Sequence, residues 1–178
     1  MVPADDTVRV RVATPDDVPG IATVHVASWK AAYRGLLPRA VLDGLSVAQR
    51  TRQWRRVLEL EPAHRVVVAE RCGQVLGFAQ VGPAHDTDTG PTTGQLHTIY
   101  LDPGHWGTGV GRLVHDAGLA LLADGSHDRA VLWMLATNAR AERFYRRQGW
   151  DRDGRIRVQQ FGGTVVIDHR WGHDLTTS

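Results

Sequence analysis

The segment Leu96–Arg112, LHTIYLDPGHWGTGVGR, constrains the fold of this chain more than any other. A β-rich run passes through the turn formers Asp102, Pro103 and Gly104 to Gly107, Gly109 and Gly111, which open a stretch whose Val110, Leu113, Val114, Ala117 and Leu121 recur at helical spacing. A strand feeding directly into a helix implies packing of one on the other, and so a sheet covered by helices. Glycines at such a junction permit tight turns and close approach of a ligand to the backbone. Free amides at a helix start, reinforced by the helix dipole, suit a phosphate. A glycine-rich cap with no ligand is the plainer alternative. No Gly-Lys followed by Ser or Thr completes a nucleotide P-loop, and no acidic residue ends a strand about 20 positions onward, as a dinucleotide site requires.

Other signals extend the pattern. Thr7–Val12 alternates as a half-buried strand, and Thr14, Pro15, Asp16 and Asp17 supply a helix start for Val18, Ile21, Val24, His25 and Trp29, with Gly35 and Pro38 ending that helix. Ser46 caps a second helix that Pro62 stops. Val66–Glu70 and Val75–Val81 read as a hairpin around Cys72 and Gly73. The stretch from Pro83 to Gly94 is an exposed loop, idle or covering a site, before a strand over Gln95–Leu101. Ala130–Ala136 is a strand and Ala139–Arg147 a short helix closed by Gly149. Two last strands, Arg155–Phe161 and Thr164–Trp171, hinge on Gly162 and Gly163.

At 178 residues, 42% hydrophobic and 22% charged, one domain over 1–178 is expected, large enough to fold without disulfides, which the single Cys72 could not form internally. No run approaches the roughly 20 apolar residues that span a bilayer, and MVPADDTVRV lacks the basic and apolar parts of a leader, so a cytoplasmic protein without membrane contact is expected. Charge is nearly balanced, 21 basic against 19 acidic, with Lys30 the one lysine. The arginines concentrate only at Arg50–Arg56, read as a solvated helix face, and at Arg140–Arg147, where a phosphorylated ligand could meet them; nucleic acid is not an expected partner. His169 and His173 do not converge on a strand and have no evident third ligand, so no metal is expected.

In Val131–Trp150, VLWMLATNARAERFYRRQGW, an apolar strand stops at Asn138, a cap by position, and a short helix presents Phe144 and Tyr145. Phe144 and Trp150 read as core; Tyr145 is either packing or chemistry. Together the two segments resemble the GNAT superfamily of N-acetyltransferases: Asp102-Pro103 before Gly107, Gly109 and Gly111, then Asn138-Ala139-Arg140-Ala141 leading to Phe144-Tyr145 and Gly149-Trp150. Trp106 stands where many members carry Arg or Gln. Trp29 with Ala32-Tyr33-Arg34-Gly35-Leu36-Leu37-Pro38 resembles a pattern at the first helix of one bacterial subgroup.

The resemblance implies the α/β GNAT fold, a mixed, mostly antiparallel twisted sheet of about seven strands flanked by about four helices. It implies acetyl-CoA as cosubstrate, held by Ile99, Tyr100 and Leu101 on the strand, by Gly107, Thr108, Gly109, Val110, Gly111 and Arg112 at the loop and helix start, and by Asn138 and Ala141. Trp29 and Tyr33 would wall the site of a primary amine, more readily that of a small molecule than a protein amino terminus, and a homodimer is possible. Tyr145 would be the general acid for the departing thiolate. Alternation puts residues 95, 97, 99 and 101 on one strand face, where Gln95 cannot act as a base and His97 can. A noncatalytic acyl-CoA sensor is the reading from another class.

Overall fold

The computed structural model describes residues 7–176. The ends of the expected 1–178 domain, and with them most of the stretch examined for a leader, lie outside the described residues. Strand β1 (Arg9–Val12) leads into a 3₁₀ turn, helices α1 (Val18–Ala32), α2 (Arg39–Asp43) and α3 (Val47–Leu60), strands β2 (Arg65–Arg71), β3 (Gln74–Pro83) and β4 (Thr93–Leu101), helix α4 (Val110–Asp124), strand β5 (Arg129–Leu135), helix α5 (Ala139–Arg147), and strands β6 (Asp151–Phe161) and β7 (Thr164–Asp174). The seven strands form one sheet in the order β1-β2-β3-β4-β5-β7-β6. All neighbours are antiparallel except β4 and β5. This is the expected mixed sheet, with α2 added to the expected helices. Among the described residues, no helix is long and apolar enough to cross a membrane.

Local chemistry accounts for most boundaries. Ser46 Oγ accepts the Gln49 amide at the start of α3. Cys72 and Gly73 both take positive φ, 50° and 78°, as a two-residue hairpin turn demands. Pro38 ends nothing: it is the cap from which α2 departs, because a proline has no amide to lose at a helix start. Strand β6 begins at Asp151, ahead of the expected Arg155, since a register shift between Arg152 and Ile156, with Gly154 at φ 89°, lets turn-forming residues stay in the ladder.

The sheet is covered on both faces. On one, α1 and α3 bury Val18, Ile21, Val24 and Trp54 against Val66, Val68, Val75 and Phe78. On the other, α4 and α5 bury Val110, Val114, Leu122 and Tyr145 against Val67, Ala79, Leu96, Leu132 and Trp171. Burial of these side chains, each contributing about 1.5–3 kcal/mol, is the main stabilising term. At the entrance to α1 the buried Asp17 carboxylate accepts from the Thr14 amide at 2.7 Å and pairs with Arg11 at 2.7 Å, while Arg11 also reaches Glu70. The Arg11 contact holds the Asp17 carboxyl below its ordinary value, against the opposing effect of burial. A depressed carboxyl pKa stabilises the fold above the unfolded value of about 4 and ceases to do so as pH falls through the folded one. Asp17→Ala is therefore expected to cost about 1–3 kcal/mol at neutral pH in urea unfolding, and the gap from wild type should narrow on acidification. A gap that stays constant down to acid unfolding would remove the ion pair from the account.

Candidate active site

Strands β4 and β5 pair only over Thr93–Gln95 and Arg129–Val131. Beyond that point β4 stays with β3 while β5 follows β7, so the two diverge and the sheet opens. The opening leads into a cavity of about 430 Å³. Its walls are β4 from Leu96 to Leu101, Trp133 and Met134 of β5, Ser28, Ala32 and Tyr33 at the α1 end, the glycine-rich loop, and the face of α5 carrying Ala141, Phe144 and Tyr145.

At one end of the cavity the chain turns from β4 into α4. Asp102 Oδ1 accepts the Gly104 amide, the Thr108 hydroxyl bonds to the His105 carbonyl, and Gly107 and Gly109 take φ of 77° and 92°. Those angles favour glycine, and a Cβ at either position would meet nothing within 4 Å. Gly109 caps α4, so the free amides of the first helical turn face the cavity mouth. Gly111 lies within that turn, where an added Cβ would meet Leu101 and Phe144 at ordinary contact distance, and Val110 is buried in the core. Positive charge gathers here: Arg112, Arg140, Arg143 and Arg147 all line the cavity. The Arg140 guanidinium stacks 3.3 Å above the Trp106 ring, whose Nε1 donates to the Leu101 carbonyl on the open edge of β4. Trp106 thus holds the Arg140 side chain beside the loop that opens α4.

Deeper in, Asn138 Oδ1 accepts the Ala141 amide at 3.1 Å, so Asn138 is the cap of α5 and keeps its NH₂ for another partner. Tyr145 is buried between Phe144 and Trp150, with ring centroids 5.3 and 6.0 Å away, and lines the cavity. Burial first, and then Tyr100, push its hydroxyl above the ordinary phenol value, so it stays protonated. Tyr33 is raised for the same reason, with Tyr100 and Tyr145 adding to the effect. Three phenols therefore converge on one region. The Tyr100 ring packs 4.9 Å from His25, on the α1 side rather than along the expected cofactor groove, and Trp29 stands behind Tyr33 at 4.9 Å.

The expected alternation of residues 95, 97, 99 and 101 does not hold. Thr98 faces Gln80 and Leu96 faces Val81, which leaves His97 as the extra residue of a β-bulge. A bulge resets the side-chain period, so Leu96 joins Ile99 and Leu101 against the α4 core. His97 is turned towards the loop that follows β3, its Nε2 3.2 Å from the Pro83 carbonyl and its ring among those of His64 and His85. Burial and then the two neighbouring imidazoles pull its pKa down to about 4. The loop itself is strapped over the β5–β7 side of the sheet: Asp86 accepts from Trp133 Nε1, and Asp88 pairs with Arg170 at 2.7 Å and with Arg155 at 2.8 Å. His173 Nδ1 lies 3.0 Å from the Gly149 carbonyl, and its ring is stacked on that of Trp150.

The sheet opens between two strands beside a glycine-rich helix start, and residues 28–150 match the acetyltransferase (GNAT) family. The chain belongs to that family, whose reaction is acetyl transfer from acetyl-CoA. It is 30% identical over 132 residues to the uncharacterized N-acetyltransferase YuaI of Bacillus subtilis, covering 74% of this chain and 73% of that protein. It is 28% identical over 155 residues to the probable N-acetyltransferase Rv2775 of Mycobacterium tuberculosis, covering 83% and 82%. In fold it is similar to the PaiA N-acetyltransferase of Thermoplasma acidophilum, solved in complex with coenzyme A, with a TM-score of 0.73 over 94% of this chain and 99% of that one at 14% identity.

Proposed function

We propose that the protein transfers the acetyl group of acetyl-CoA to the primary amine of a small molecule, by direct attack, with Tyr145 as general acid. The observation that carries this reading is the buried, protonated Tyr145 hydroxyl on the wall of the cleft whose mouth is the Gly107–Gly109 helix start. The pyrophosphate fits the free amides of α4, and the remaining phosphate fits the Arg140, Arg143 and Arg147 cluster. The pantetheine arm runs along the open edge of β4 past Ile99 and Leu101, where the NH₂ of Asn138 donates to one of its amide carbonyls. An unpaired β4 amide polarises the thioester oxygen.

The acceptor nitrogen then forms its bond to the carbonyl carbon as the carbon–sulfur bond breaks. The leaving sulfur takes the Tyr145 proton, and water restores it. Burial raises the phenol above a free alkyl thiol of about 8.5, but it raises the pKa of a thiolate formed in the same site too, which keeps the transfer feasible.

Among the described residues, no Asp or Glu lines the cavity, whose acceptor side is formed by Ser28, Ala32, Tyr33 and Tyr100. Such a wall suits a neutral amine with an apolar or aromatic body over a polycation or a charged protein terminus. A base of pKa about 4 holds a proton too weakly to take one from an alkylammonium, so the amine is taken to enter deprotonated and to lose its second proton to water rather than to His97. The rate should then rise about tenfold per pH unit up to the acceptor's own pKa, and two acceptors of different basicity should show inflections that move with the amine. One inflection common to both, lost in His97→Ala, would give the base role to His97. Release of free thiol from acetyl-CoA in the presence of a panel of small amines tests the reaction itself. Tight coenzyme A binding without thiol release for any amine would favour the sensor reading instead.

A further inference from the structure

Three imidazoles meet beside the cleft. His64 lies in the turn between α3 and β2, His85 in the loop after β3, and His97 at the β4 bulge; one ring nitrogen of each lies within 4.8 Å of the other two. The ring centroids of His97 are 4.8 Å from His64 and 5.4 Å from His85. Hydrogen bonds settle which nitrogens carry protons. His64 Nδ1 is 2.9 Å from the Glu61 carboxylate, which only accepts, so that nitrogen is the donor and, in the neutral ring that binds a metal, Nε2 carries the lone pair. His97 Nε2 faces the Pro83 carbonyl, which also only accepts, so Nδ1 keeps the lone pair there. His64 Nε2 is buried and has no hydrogen-bond partner among the described residues.

A carboxylate on one imidazole and a backbone carbonyl on another are the outer contacts that orient metal-binding histidines and fix their tautomers. The backbone is shaped to match. A Cβ at Gly82 would overlap His64 Cδ2, so only a glycine there lets the ring lie over the end of β3. The bulge takes His97 out of the alternation of β4 and aims it at the other two rings. Tetrahedral zinc, with bonds of about 2.0–2.1 Å, places its nitrogen ligands about 3.4 Å apart, so the widest pair has to close by about 1.4 Å. His85 is exposed and on the β3–β4 loop, so its ring has room to rotate towards the other two.

We propose that His64, His85 and His97 bind one divalent ion of the zinc class, which fastens the β3–β4 loop and the β4 bulge to the turn before β2. Three imidazoles without a thiolate suit zinc, cobalt, nickel or copper and not the hard cations magnesium and calcium. A fourth position remains for water. The site is independent of the acetyl-transfer reading, because its ligands bind metal whether or not an amine reacts.

The test is calorimetric titration of tag-free, chelator-treated full-length protein with zinc chloride, repeated with cobalt chloride to read the visible d–d bands of the bound ion. One ion per chain is expected, with a rise in unfolding temperature. His64→Ala and His85→Ala should each weaken binding by about 10²-fold or more, and Glu61→Gln by about 10-fold. His85 is exposed, so its replacement leaves the fold intact and decides the matter if His64→Ala does not fold; circular dichroism checks each variant. No saturable binding by the wild type would overturn the proposal. So would one-to-one binding that His85→Ala leaves unchanged, since the ion would then sit elsewhere.

Discussion

Gly109→Asp is expected to lower coenzyme A affinity by about 10²-fold or more, since it removes or opposes two or three charge-assisted hydrogen bonds of about 1.5–3 kcal/mol each. Gly109 caps α4 with φ 92°, and the space where a Cβ would project is open, which is where a phosphate has to come to reach the helix amides. A carboxylate there places negative charge against negative charge at the positive end of the helix dipole. Backbone strain is a second effect of any side chain at that angle, and Gly109→Ala separates the two: it carries the strain without the charge. Calorimetry on both variants, with circular dichroism to check the fold, should show a small loss for alanine and a large one for aspartate. Equal losses would mean that the loop binds through its shape alone. Unchanged affinity in both would make the glycines a helix cap and nothing more.

The parts of this site that could be read along the chain are those written by local chemistry. Proline and glycine punctuate the β4–α4 junction, and the caps at Ser46 and Asn138 and the turn at Cys72-Gly73 follow from what those side chains and angles permit. The parts that could not be read depend on a partner strand or on distant segments. His97 sits at a bulge whose existence is decided by its register against Gln80 and Val81 on β3, so strict alternation misplaced it. The meeting of His64, His85 and His97 has no signature in any one segment, because three separate connections bring the rings together. Trp106 serves as the platform for Arg140, a residue on another helix, and nothing in its own segment shows that. The short α2 was hidden because Pro38 reads equally as a stop or a start, and only the packing of Leu37 and Leu42 against Leu135 and Val166 selects the start.

Tyr145→Phe removes one oxygen and keeps the ring that packs between Phe144 and Trp150. Stability should therefore change by no more than about 1 kcal/mol, the net worth of an ordinary hydrogen bond. Turnover is expected to fall by about 10²-fold or more, because the departing sulfur would lose its proton donor in the transition state, while coenzyme A affinity should barely move. Two other, half-buried phenols lie close enough to perturb one another's ionisation, so Tyr33→Phe and Tyr100→Phe are the comparisons that decide whether the donor is Tyr145 alone. Each should lose less turnover than Tyr145→Phe. A thioester whose thiol is more acidic needs less help in leaving, and with it the Tyr145→Phe defect should shrink. If the defect is the same for good and poor leaving groups, Tyr145 positions the thioester and the proton reaches sulfur from water. If all three phenylalanine variants turn over like the wild type, no phenol is the acid, and burial of Tyr145 on the cleft wall is packing.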